Sequence, residues 1–124
     1  YLLVGLGGGL GAISRYLLYS LHQTSINNTF PIATLLVNAI GCFFAGLVFG
    51  SSTQAFNSDN STTNLFVAIG FLGSFTTFST FGIDILKLLN QNRLDLAFLN
   101  IFLNLAVSLI CVVIGFYLGK KVIF

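Results

Sequence analysis

Four separate stretches of this chain are apolar over about 20 residues each, the length a helix needs to cross the hydrocarbon core of a bilayer. They run from Leu2 to Leu21, Pro31 to Gly50, Leu65 to Leu86 and Leu96 to Gly119. The connections HQTSINNTF, SSTQAFNSDNSTTN and KLLNQNRLD are polar and read as loops. Pro31 can open the second helix, because the first turn of a helix has no use for its missing N–H. Charged residues make up only 6% of the sequence, against roughly a quarter in a soluble globule, so water cannot be the main solvent of the fold. The expected architecture is an all-α membrane protein, one four-span domain over residues 1–124, lodged in a cell membrane as a multi-pass protein. The first run contains Arg15 and lacks a small-residue cleavage site, so it reads as a retained span and not a signal peptide. There is no methionine, so native residues are expected to precede Tyr1.

An even number of spans puts both chain ends on one side of the membrane. Lys120 and Lys121 then face one compartment, while Lys87 and Arg93 face the other. Orientation follows an imbalance of Lys and Arg near span ends, and this tie predicts insertion both ways up. Two N-x-T sequons, at Asn27 and Asn60, fall on loops of opposite side and read as chance matches. Many transporters build a midplane site from two inverted halves of one chain. No internal repeat is visible here, so the second half has to come from elsewhere, and an antiparallel homodimer would supply it.

The third run holds GFLGSFTTFSTFG, residues 70–82. Gly70, Gly73 and Ser74 lower helix propensity where the span crosses the midplane, which predicts an interruption there. Carbonyls freed by such a break can coordinate Na+. The competing reading is a small-residue packing face, since Gly70 and Ser74 are four apart. Phe78 and Phe81 share one helix face, and Thr76, Ser79 and Thr80 a neighbouring one. Hydroxyls donate to anions and a phenyl ring has a positive edge, so a route lined this way suits a small anion. The alternative is that the hydroxyls bond back to their own helix.

Other polar residues carry paired readings as well. Asn38, deep in the second span, is either interhelical glue or an anion donor, and Asn104 and Ser108 invite the same choice on the fourth. Arg15 is either functional or snorkels to the interface. Asp84 is the one acid inside a run, close to Lys87, which gives proton coupling little support. A single histidine, His22, and no cluster of Cys, His and acids leave no triad and no metal site of that type, so enzymatic chemistry is not expected. Cys42 and Cys111 lie in apolar runs and read as free thiols. GLGGGLG follows no strand and precedes no lysine, so it is not a phosphate loop. The five basic residues form no cluster of the kind that binds nucleic acid.

Taken together, GGGLGAISRY, TLLVNAIGCFFAG, GFLGSFTTFSTF and NLAVSLICVVIGFYLG resemble the Fluc family of fluoride channels, also called CrcB proteins. The likeness covers nearly the whole chain, and its third-span motif is the specific part. The resemblance implies a dual-topology antiparallel homodimer with a broken third helix, two fluoride pores and a structural Na+ at its centre. Fluoride would pass down its own gradient. By motif position Gly73 and Thr76 would offer carbonyls to the Na+. Phe78 and Phe81 would line the pores beside Ser79 and Thr80, with Asn38 and Ser108 also in the pathway and Arg15 in the vestibule. Asp84 stands where many members carry glutamate, and Ser74 replaces a common second glycine. Two other readings are a dual-topology exporter of organic cations, which would need an acid deep in the first span, and a non-conducting assembly subunit.

Overall fold

The computed structural model describes residues 1–23, 29–51, 62 and 64–122, so both sequon asparagines, Asn27 and Asn60, lie outside the described residues. Helix α1 spans Leu2–Gln23 and α2 spans Ile32–Ser51. The third span starts as a π-helix, Asn64–Leu72, and continues as one short turn, α3, Gly73–Phe75. Helix α4 covers Phe78–Asn90 and α5 covers Leu94–Val122. Four membrane-length apolar stretches result, Leu2–His22, Ile32–Ser51, Leu65–Asn90 and Leu94–Lys121. Among the described residues there is no strand. Pro31 sits just before α2, and its carbonyl accepts from Leu35 N–H.

Glycines decide which helices touch. A Cβ at Gly46 or Gly50 of α2 would strike the carbonyls of Val112 or Phe116, and one at Gly115 or Gly119 of α5 would strike those of Phe43 or Leu47. The two backbones therefore lie in direct contact, the close approach that small residues permit between membrane helices. Helix α1 docks on the first half of the third span by the same means, with Gly7 against Phe66 and Gly11 against Phe71. The glycine cluster near the amino terminus is thus a packing surface.

The third span departs from expectation in where it breaks. Gly70, Gly73 and Ser74 are all helical, and Gly70 is buried against Val4 and Gly7 of α1. Ser74 Oγ lies beside Gly8, so the packing reading holds for Gly70 and Ser74. Extended backbone falls instead at Thr76 (φ −73°, ψ 156°) and Thr77 (φ −151°, ψ 114°). Thr76 is consequently separated from the helix that carries Ser79 and Thr80, and the three hydroxyls do not form one continuous face.

The expected loop KLLNQNRLD shrinks to a tight turn, because α4 runs on to Asn90 and α5 restarts at Leu94. Asn92 takes the left-handed conformation (φ 56°) that a helix C-terminus favours, and asparagine tolerates it. Arg93 N–H donates to Leu88 O at 2.9 Å and Asn92 N–H to Leu89 O at 3.0 Å, a Schellman closure. The Arg93 guanidinium then grips Asp95 through two bonds of 3.0 and 3.1 Å. Both cysteines are free.

Candidate functional site

Two extended residues inside a membrane span release backbone groups that lipid cannot satisfy. Asn38 of α2 takes up those of Thr77. Thr77 N–H donates to Asn38 Oδ1 at 2.9 Å, and Asn38 Nδ2 donates back to the Thr77 carbonyl at 3.2 Å. Thr77 in turn caps α4, its Oγ1 accepting from Thr80 N–H at 3.2 Å and donating to Thr80 Oγ1 at 3.0 Å. Ser79 Oγ is 3.3 Å from the same hydroxyl. Thr76 bonds back to its own helix, both N–H and hydroxyl donating to the Leu72 carbonyl.

These bonds change what Gly73 and Thr76 offer. In an uninterrupted helix their carbonyls would accept from the N–H groups of residues 77 and 80. Both of those N–H groups are diverted to side-chain oxygens, on Asn38 and Thr77. Gly73 is also exposed in the single chain, and with Thr76 it borders a depression shared with Gly41 and Cys42 of α2. Freed carbonyls suit a hard cation, so the residues fit a Na+ held by backbone oxygens. Among the described residues no group of three His, Cys, Asp or Glu side chains gathers.

From Asn38 the polar contacts continue onto α5. Asn38 Nδ2 also donates to Asn104 Oδ1 at 3.1 Å, which commits both of its amide protons. Asn104 Nδ2 donates to Asn100 Oδ1 at 2.7 Å and to the Asn100 carbonyl at 3.2 Å. Beside this ladder lies a cleft of about 310 Å³ bordered by Asn38, Phe78, Phe81, Asn104 and Ser108. The Phe78 and Phe81 ring centroids are 5.4 Å apart. Their surroundings differ sharply, since Phe81 is 7% exposed and Phe78 79%. Ser108 Oγ is buried with no hydrogen-bond partner.

The structure therefore brings Asn38, Phe78, Phe81 and Ser108 to one cleft, and Thr76 and Thr77 to its edge. Ser79 and Thr80 are drawn to the Thr77 cap and are not among the residues bordering it. Arg15, half-exposed on α1, is outside the cleft as well.

A second polar group ties α1, α2 and α4 together. Tyr19 OH is 2.8 Å from Thr34 Oγ1, which donates to Asp84 Oδ2, and Lys87 Nζ is 3.9 Å from Asp84 Oδ1. Asp84, only 9% exposed, is a partnered carboxylate at a helix junction. Sequence reasoning missed Tyr19, Thr34 and Asn100. A repeat of four was the available signal, because Thr34 is one turn before Asn38, and Asn100 one turn before Asn104 and two before Ser108.

Comparison with known proteins points the same way. The family model for CrcB-like protein, Camphor Resistance (CrcB), matches residues 2–116. A fluoride-specific ion channel FluC from Francisella philomiragia is 48% identical over 120 residues, covering 94% of this chain and 91% of the relative. One from Dehalococcoides mccartyi is 42% identical over 121 residues, covering 96% and 91%. A third, FluC 3 of Methanosarcina barkeri, is 43% identical over 122 residues, covering 98% and 87%. With four membrane-length helices and matches along almost its whole length, the chain is a multi-pass membrane protein of the CrcB family.

Proposed function

We propose that the protein is a fluoride-selective channel that lets fluoride leave the cell down its electrochemical gradient. The observation that carries this reading is the cleft at the helix break, where amide and hydroxyl groups of Asn38, Asn104 and Ser108 meet the rings of Phe78 and Phe81. A fluoride ion entering such a site exchanges water for N–H and O–H donors and for the positive edges of phenyl rings. The name of the relatives, fluoride-specific ion channel, supplies the identity of the anion.

Asn38 has both amide protons engaged, so it serves fluoride by exchanging one bond for another as the ion passes. Ser108 has an unspent hydroxyl and can donate without that exchange. Ser79 and Thr80 act through the Thr77 cap, holding the first turn of α4 so that Phe81 keeps its position. Arg15, on α1, serves the approach to the pathway by raising the local anion concentration. The working unit is an antiparallel homodimer with one pore per subunit. A Na+ bound by the Gly73 and Thr76 carbonyls of both copies would supply fixed positive charge at the centre and hold the two breaks together.

Fluoride efflux from proteoliposomes, compared with chloride efflux, tests the reading. Fluoride passage without a proton requirement is expected, and equal leak of both anions sinks it. Density between the paired Gly73 and Thr76 carbonyls of an antiparallel dimer is the matching expectation for Na+.

A further inference from the structure

Two neighbouring stripes of the same make-up run to the end of α5. Val112, Phe116 and Lys120 follow one another at intervals of four, and so do Val113, Tyr117 and Lys121, each passing from an aliphatic residue through an aromatic one to a lysine. Beside them the glycine contacts at Gly46 and Gly119 hold the α2 and α5 backbones together with no side chain between them. A trough of about 290 Å³ remains along the flank of this crossing, lined by Gly46, Phe49, Val112, Val113, Phe116 and Tyr117. The Phe49 and Phe116 ring centroids are 5.6 Å apart, and Phe116 meets Tyr117 edge-on at the same separation. Val112 also borders the cleft of Asn38, Asn104 and Ser108. Beyond it the amides and hydroxyls stop, and the Tyr117 phenol is the one polar side chain lining the trough. Such a lining gives a small anion nothing to exchange for its water and gives a hydrocarbon chain a continuous apolar bed.

The trough ends in positive charge. Lys120 Nζ lies 4.5 Å from the centre of the Phe116 ring, whose face holds the ammonium without neutralising it. Lys121 is exposed beside it. Both lysines close the apolar stretch Leu94–Lys121, which sets them at the membrane interface, the depth of lipid headgroups. Among the described residues the acids are engaged elsewhere, Asp84 with Lys87 and Asp95 with Arg93, and Asp59 lies outside the described residues. A second copy of the chain, either way up, therefore brings no spare carboxylate from those residues to the lysines. A phosphate does, and basic pockets between membrane helices bind anionic headgroups. We propose that the trough is a binding site for an anionic phospholipid, with one acyl chain lying along Phe49, Phe116 and Tyr117 and the phosphate held by Lys120 and Lys121.

Native mass spectrometry of the detergent-solubilised protein should show phosphatidylglycerol retained in preference to phosphatidylcholine with the same chains. Glycerol phosphate, the headgroup without chains, should not be retained. Affinity for phosphatidylglycerol should fall about fivefold in Lys120→Gln and about thirtyfold when Lys121→Gln is added. Val113→Trp, which fills the trough and spares both lysines, should displace the lipid as well. With the lysines intact, benzoylphenylalanine in place of Tyr117, irradiated in phosphatidylglycerol vesicles, should gain the mass of one lipid. Equal retention of the two lipids, or parental affinity in the double lysine variant, overturns the site. So does retention of glycerol phosphate as tight as that of the lipid, or a loss in the lysine variants with none in Val113→Trp, since either leaves no seated chain. A cross-link from position 117 to a second copy makes the trough a contact between subunits and overturns the proposal, and this measurement decides the matter if the lysine variants do not fold. None of these readouts involves fluoride, so the channel function stands or falls separately.

Discussion

Asn38 and Thr77 face one another as two peptide groups of a sheet would, one donating N–H and one accepting carbonyl on each side, although they belong to different membrane spans. The side-chain amide stands in for the backbone that the third span lacks at its break. Site and fold are therefore coupled at this pair, and substitutions at Asn38 should affect both.

Asn38→Asp keeps the shape but puts a second acceptor against the Thr77 carbonyl and Asn104 Oδ1. Leaving those acceptors unmet should cost about 1–3 kcal/mol of stability. Thermal unfolding in detergent should show the loss, and fluoride efflux should be abolished. A variant with parental melting and parental efflux would refute the coupling.

Phe81→Ile preserves apolar bulk at a buried position and removes a ring that borders the cleft. Fluoride efflux is expected to fall severely while the protein still elutes as the parent does on size exclusion. Equal efflux from Phe81→Ile and the parent would show that the ring is only packing.

Thr34 holds two groups at once, with Tyr19 on α1 and Asp84 on α4 as its partners. Thr34→Val should therefore cost more than Tyr19→Phe, by about 1 kcal/mol for the additional buried group left unpaired. Chemical denaturation of the two variants side by side makes the comparison. Among the described residues Asp84 then keeps Lys87 as its partner, whose side chain is largely exposed and so adds little.

Gly46→Ala and Gly115→Ala put a methyl into the opposing backbone of the α2 and α5 crossing. Overpacking of this kind costs about 1–3 kcal/mol. Gly5→Ala has open space around it and should be neutral or slightly stabilising, since alanine is the better helix former. Melting temperatures of the three variants decide it, and a loss at Gly5 as large as at Gly46 would contradict this reading.

Replacing Na+ with a large organic cation should lower the melting temperature of the protein, and Na+ should restore it in a saturable way. Gly73 is open on the single chain, and its diverted helical bond leaves its carbonyl able to take part. Sodium-independent melting would argue that these carbonyls bind no cation.

The apolar runs alone determined that the chain crosses the membrane four times, because every backbone polar group in lipid must be bonded within its own segment and a helix does this locally. The importance of the third-span stretch was legible for the same reason, since hydroxyls and glycines are costly ornaments at that depth. Where that span breaks was not legible. Propensity pointed to Gly70, Gly73 and Ser74, yet all three are helical, with α1 packed against Gly70 and Ser74, while Asn38, separated by 39 positions from Thr77, supplies the bonds that let the chain straighten there. A break forms where a partner compensates it, and that partner comes from another helix. Asn100 shows the same limit, because its identity says only that it can donate and accept. Packing decides how it is used: its Oδ1 accepts from Asn104, whose own amide is oriented by Asn38 and, through it, by the backbone of Thr77.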